Sequence, residues 1–171
     1  MNSNNMVKKQ VAVVLGSGGH TTQMLRLIDK LGTKYQYSYI IANTDKTSEK
    51  HIRIPGNVYY ILDTRLKTDK NIFKIILKFI PSTLQAIHIL HKIKPKIIIG
   101  CGPAVCQHIL VIAKYLFGTK LIFFESWVRA KRKSIAGKQL YLFFSKEDLF
   151  MVQWRSLLNE YPNAKYVGRL G

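Results

Sequence analysis

His20 follows the run Gly16-Ser17-Gly18-Gly19 and precedes Thr21, at a junction between two apolar segments. An imidazole titrates near neutral pH, so it can take a proton from a hydroxyl or hold one toward an anion. Three glycines without Cβ atoms let backbone N–H groups close around a phosphate. If a helix starts there, its unpaired amides and its dipole complete an anion site. Glu125 is the second candidate. It ends an apolar run in a chain with only 9 acidic against 27 basic residues, and could serve as a base or a ligand-binding group. Plainer roles compete: a ligand-free tight turn, capping or diphosphate hydrogen bonding by His20, and pairing of Glu125 with Arg129.

The elements that must position these groups are strands and helices in alternation, which predicts an α/β fold with a doubly wound, Rossmann-like parallel sheet. Residues 11–15 are too few for a helix and β-branched enough for a buried strand. Met24, Leu25, Leu27, Ile28 and Leu31 then recur at helical spacing. Further strands are expected at 35–42, 58–62, 96–99, 120–124, 149–153 and 164–167. Helices are expected at 70–93 with a break at Pro81, at 104–117, after Gly137, and at 155–161. Ligands in such sheets bind beyond the carboxyl ends of the strands. That rule collects residues 16–21, 43–48, 100–103, 125–129 and 153–154, and with them Gly102, Ser126, Arg129, Gln153 and Trp154. Trp154 could stack on a ligand ring or wedge a junction.

A chain of 171 residues fits one domain spanning 1–171, with residues 1–10 expected to be flexible. Its formal charge of +18 implies an anionic partner. The lysines are spread along the chain rather than gathered in a stripe with aromatics, which ranks a membrane surface above nucleic acid. Cys101 and Cys106 lack the spacing of a metal site, and His108 does not complete one. No leader-like apolar segment precedes the first strand, and no apolar run reaches the ~20 residues of a spanning helix. Residues 70–93 carry an apolar arc about twice as wide as the ~100° stripe of a surface helix. Either that helix is buried on several sides, or Phe73, Lys74, Leu77 and Lys78 form a face that dips into an anionic membrane.

The segments GSGGHTTQMLRLI, GCGP, FFESWVRAKRKSIAGKQLY and LFMVQWRSLLNEYPNAKYVGRL occur in order along the chain. Together they resemble the membrane-recruiting subunits of the two-chain UDP-N-acetylglucosamine transferase of the dolichol pathway, and related bacterial exopolysaccharide subunits. The resemblance implies the N-terminal, acceptor-binding half of a GT-B glycosyltransferase, inactive until a separate donor-binding chain joins it. It implies transfer of N-acetylglucosamine from UDP-GlcNAc, shared at the interface, to a lipid-linked pyrophosphoryl-GlcNAc acceptor at the cytosolic face of the endoplasmic reticulum membrane. His20 and Glu125 are then the catalytic candidates. Gly16, Ser17, Gly18, Gly19, Thr21, Gly102, Ser126 and Arg129 would bind acceptor pyrophosphate and sugar, and Gln153, Trp154 and Arg169 would face the partner. No cofactor is implied and no metal, since no acidic pair of the DxD kind is present. The sequence departs from the family in two places: no hydrophobic anchor opens it, and Asp63-Thr64-Arg65-Leu66-Lys67 lacks an arginine-serine-arginine motif.

Two other readings compete. Gly16-x-Gly18 begins a dinucleotide fingerprint, with Thr21 at the third glycine position and Asp45 near a ribose-binding site, as in an NAD-dependent oxidoreductase. A non-enzymatic basic module would bind membrane or nucleic acid with a steep salt dependence.

Overall fold

The computed structural model describes residues 8–16, 18–63, 72–102 and 105–170, with the backbone alone at 72–78. Seven strands form one sheet: β1 (Gln10–Leu15), β2 (Gln36–Ala42), β3 (Gly56–Ile61), β4 (Ile97–Cys101), β5 (Lys120–Phe124), β6 (Leu149–Val152) and β7 (Lys165–Tyr166). Their order is β3-β2-β1-β4-β5-β6-β7, and every pairing is parallel. The helices are α1 (Gly19–Leu31), α2 (Ile72–Ile93), α3 (Val105–Phe117) and α4 (Ile135–Tyr141). The order reverses between β1 and β4, so the turns that follow these two strands open a crevice at the carboxyl edge of the sheet.

Central strands are buried on both faces, which is why β1 and β4 read as unbroken apolar runs. Ala12 and Val14 point to the layer of α2, α3 and α4. Val11, Val13 and Leu15 point to α1, where they meet Met24, Leu25 and Ile28. The spacing of those α1 residues gives the helix the apolar stripe that seats it over β1 and β4.

Four local expectations change. The first strand begins at Gln10 rather than at residue 11, and Lys9 O accepts from Gln36 N at 3.1 Å just before it. α2 continues through Pro81 instead of breaking there. Beyond the proline it is held by tertiary bonds: Ser82 Oγ donates to Leu62 O at 2.8 Å, and Leu62 N donates to Gln85 Oε1 at 2.9 Å. Burial of Ala86, Ile89, Leu90 and Ile93 adds to them and offsets the bond that proline lacks. Gly137 lies inside α4 rather than before it, because Ser134 caps the helix by accepting from Gly137 N at 2.8 Å. The stretch after β6 is a single 3₁₀ turn, Arg155–Leu158, which leaves Tyr161 free to turn into the core. Among the described residues no helix is long and apolar enough to cross a membrane.

Candidate functional site: the crevice between β1 and β4

His20 sits in the first turn of α1, between the ends of β1 and β4. Two glycines make room for it. A Cβ on Gly16 would stand 2.9 Å from His20 Cβ and 3.1 Å from Cys101 O. A Cβ on Gly102, whose φ is +107°, would stand 2.9 Å from His20 Cγ. Both distances are too close for any side chain, so the glycines flank the imidazole. Gly18 and Gly19 are different: both are exposed, and among the described residues nothing lies within 4 Å of an added Cβ. Gly18 caps α1 at φ 62° with no side-chain cap bond, so the helix presents its amino end toward open space. Ser17 lies outside the described residues.

His20 Nδ1 is 3.4 Å from Cys101 Sγ. Burial lowers the imidazole below its ordinary value; the charge of Glu125 pulls it back up and that of Arg129 pushes it further down. Burial also pushes the Cys101 thiol well up, with Cys106 and Glu125 adding to the shift, so the sulfur stays protonated. His20 is therefore a neutral imidazole with one nitrogen against a thiol.

Glu125, the other catalytic candidate, is 1% exposed. Its carboxylate accepts from Ser126 N at 3.0 Å, Ser134 N at 3.3 Å and Tyr161 Oη at 2.8 Å. The Tyr161 phenol is held far above its usual value, first by burial and then by the Glu125 charge. A Cβ on Gly137 would collide with Glu125 Oε2 and Tyr161 Oη. Among the described residues Glu125 has no ion pair with Arg129; its partners are the scaffold of the loop from β5 to α4. The arrangement makes this carboxylate a building element. It acts on His20 through its charge.

Other expected site residues divide in the same way. Thr21 is buried, donates to Gly16 O, and lies 2.9 Å from Ser48 Oγ, which holds the glycine turn to the 43–48 loop instead of facing a ligand. Ser126 is buried behind Glu125, while Arg129 is exposed above it. Gln153, expected at a partner interface, is 1% exposed. Its Nε2 donates to Gln23 Oε1 at 2.6 Å and to Glu125 O at 3.0 Å, and its Oε1 accepts from Leu170 N at 2.9 Å. It cannot touch a partner directly; it holds the chain end that could. Trp154 and Arg169 do reach the surface, with the guanidinium 5.0 Å from the ring centre. The side chains of Phe73, Lys74, Leu77 and Lys78 lie outside the described residues. Further along α2, Phe79, Ile80 and Leu84 are exposed, and Ser82 binds just past the end of β3, which places this surface on the crevice side of the sheet.

Gln23 was missed by sequence reasoning. It lies one turn after His20, the spacing that puts two residues on one helix face, and its Oε1 also accepts from Trp127 N at 3.1 Å. That periodicity was the available signal. Asp45, near the ribose position of a dinucleotide fold, has Oδ1 accepting from Thr47 N at 3.1 Å and Ser48 N at 3.0 Å. Both bonds fold its own loop.

With this geometry in hand, the comparisons with known proteins are specific. The family model described as "Oligosaccharide biosynthesis protein Alg14 like" matches residues 11–170. The UDP-N-acetylglucosamine transferase subunit ALG14 of Homo sapiens is 33% identical over 181 residues, covering 94% of this chain and 82% of its own. Among solved structures, MurG of Acinetobacter baumannii superposes with a TM-score of 0.67 at 21% identity, covering 86% of this chain and 42% of its own. The UDP-N-acetylglucosamine 2-epimerase of Rickettsia bellii gives 0.67 at 15% identity, covering 95% of this chain and 45% of its own. The chain thus spans less than half the length of those two proteins and shares with them a Rossmann-like, doubly wound parallel sheet. By the extent of the family match and the identity to its relatives, the chain belongs to the Alg14-like family of oligosaccharide biosynthesis proteins.

Proposed function

We propose that this chain is the acceptor-binding subunit of a two-chain transferase that moves N-acetylglucosamine from UDP-GlcNAc to a lipid-linked pyrophosphoryl-GlcNAc. The observation that carries the reading is the open amino end of α1 at Gly18 and Gly19, beside a neutral His20, at the point where the strand order reverses. A diphosphate is the ligand such an end attracts, through unpaired N–H groups and the helix dipole. Gly16, Gly102 and Arg129 border the same crevice, and Arg129 adds a cation.

His20 is the general base in this account. The tautomer with Nδ1–H directed at Cys101 Sγ leaves the Nε2 lone pair free to take the proton of the attacking sugar hydroxyl. A lowered pKa keeps that lone pair available at neutral pH. Glu125 fixes the loop that carries Arg129 and tunes His20 from behind. Donor binding and the leaving UDP belong to a second polypeptide that docks near Trp154 and Arg169, and the chain alone has no transfer activity. The exposed Phe79, Ile80 and Leu84 of α2 rest on the cytosolic leaflet of the endoplasmic reticulum, where the lipid acceptor enters the crevice, and Phe73, Lys74, Leu77 and Lys78 are assigned to the same contact on their sequence alone.

The test is UDP-GlcNAc-dependent elongation of a lipid-linked acceptor by this chain, alone and with a donor-lobe partner. Elongation only with the partner is the expected result. Full activity of the single chain would overturn the division of labour.

A further inference from the structure

The loop between β5 and α4 has a composition that its own fold leaves unexplained. Over nine residues, it and the first residue of α4 set Trp127, Val128 and Ile135 among Arg129, Lys131, Arg132 and Lys133. Its backbone is pinned from below: Trp127 N donates to Gln23 Oε1, Trp127 O accepts from Trp154 Nε1 at 2.5 Å, Ala130 O accepts from Ser156 Oγ, and Ser134 N donates to Glu125. The apolar side chains nevertheless point outward, with Trp127 38%, Val128 71% and Ile135 79% exposed. Lys133 is 3.2 Å from Glu160, but Arg129, Lys131 and Arg132 have no carboxylate partner among the described residues.

A rigid loop that holds three apolar side chains in water beside three unpaired cations is costly unless something covers it. We infer that residues 127–135 are a second membrane-contact element, with Trp127, Val128 and Ile135 entering the headgroup boundary of an anionic bilayer and Lys131 and Arg132 on its phosphates, while Arg129 faces the crevice. Charge complementarity selects this occupant: cations interleaved with apolar residues match a surface that is anionic outside and apolar beneath. Position agrees. The loop leaves the carboxyl end of β5, and the exposed Phe79 and Ile80 lie at the carboxyl edge near β3, so the two flank the crevice on one side of the sheet. Two points of contact hold the crevice mouth against the bilayer, where one would let it roll. The inference rests on the membrane part of the proposed reading and adds a contact to it.

The experiment uses vesicles of phosphatidylcholine with and without phosphatidylglycerol, read by sedimentation and by quenching of tryptophan with brominated lipid. The chain has two tryptophans, so Trp127→Phe assigns the signal. Expected is quenching on anionic vesicles that W127F removes. Val128→Asp with Ile135→Asp should weaken binding by about tenfold or more. Lys131→Ala and Arg132→Ala should each weaken it by about fivefold. Leu116→Asp with Leu142→Asp is the control: these residues are 60% and 80% exposed, but Leu116 lies in the last turn of α3 and Leu142 just past α4, nearer the opposite edge, and the pair should bind unchanged. If the wild type binds and the 128/135 variant binds equally well, or if quenching persists in W127F, the loop inference is overturned and the membrane reading stands. If the wild type ignores anionic vesicles, both fall.

Discussion

Glu125 lies close enough for its charge to act on His20, yet the fold treats the two in opposite ways. Glu125 is enclosed, and three donors from its own loop and from Tyr161 converge on it. His20 has one nitrogen near a protonated thiol, two glycines cut back to fit its ring, and open space beside it at Gly18 and Gly19. A group whose hydrogen-bond capacity is filled by the scaffold builds the site. A group whose partners are few and weak is left for chemistry. The contrast therefore predicts that one side chain is read mainly in rate and the other mainly in stability.

The largest effect should fall on His20. In the complex with a donor-lobe partner, His20→Ala should slow transfer by about 10²–10⁴-fold, the usual contribution of a positioned base. Its thermal midpoint should move less than that of Glu125→Ala. Steady-state rates and melting curves on the same preparations decide whether the two readouts separate as described.

Next is Glu125→Ala. It strands the Tyr161 hydroxyl and two backbone N–H groups, each at about 1–3 kcal/mol when a buried donor is left unsatisfied. Chemical denaturation should show a loss of about 3 kcal/mol or more, and Glu125→Gln, which keeps one acceptor oxygen, a smaller one. A Glu125→Gln protein of native stability but without activity would reverse the assignment of roles.

Gly137→Ala comes third. Its methyl group would press on Glu125 Oε2 and Tyr161 Oη, and overpacking of this kind costs about 1–3 kcal/mol. The same substitution at Gly19, where nothing lies within 4 Å, should leave the melting temperature nearly unchanged.

The smallest effect is the pH dependence. His20 has its folded pKa lowered, so as pH falls the unfolded chain takes up the proton first. Stability from this group is fully present above the unfolded value of about 6.5 and is lost as pH drops from there toward the lowered folded value. The acid limb of the rate profile should accordingly lie below the usual imidazole range. His20→Gln should flatten the stability change in that window, and an unchanged profile would show that another group titrates there.

The elements that position the site were legible because their burial is one-dimensional. β5 (Lys120–Phe124) and the core of β1 are continuous apolar runs, and residues at 24, 25 and 28 repeat on one face of α1. The turn after β1 could be read from its glycines alone as a strand-to-helix turn. What those glycines do individually could not, since only the approach of β4 shows that Gly16 and Gly102 serve the His20 ring. The Gln23–Gln153 pair joins residues 130 positions apart, and no local pattern announces such a bond. Glu125 misled for a related reason: a carboxylate at the end of a strand looks available until Tyr161, 36 residues later, is seen folding back onto it. Pro81 failed as a stop signal because Ser82 and Gln85, bonded around Leu62, hold the helix beyond it.

The central claim is that the amide-lined end of α1 holds the acceptor's diphosphate without help from a second chain. Backbone ¹⁵N resonances of Gly18, Gly19 and His20, followed by NMR while a soluble pyrophosphoryl-GlcNAc lipid is added to this chain alone, test it most directly. The account predicts saturable shifts at these three residues and none when UDP-GlcNAc is added instead. Shifts produced by UDP-GlcNAc and not by the acceptor would contradict it.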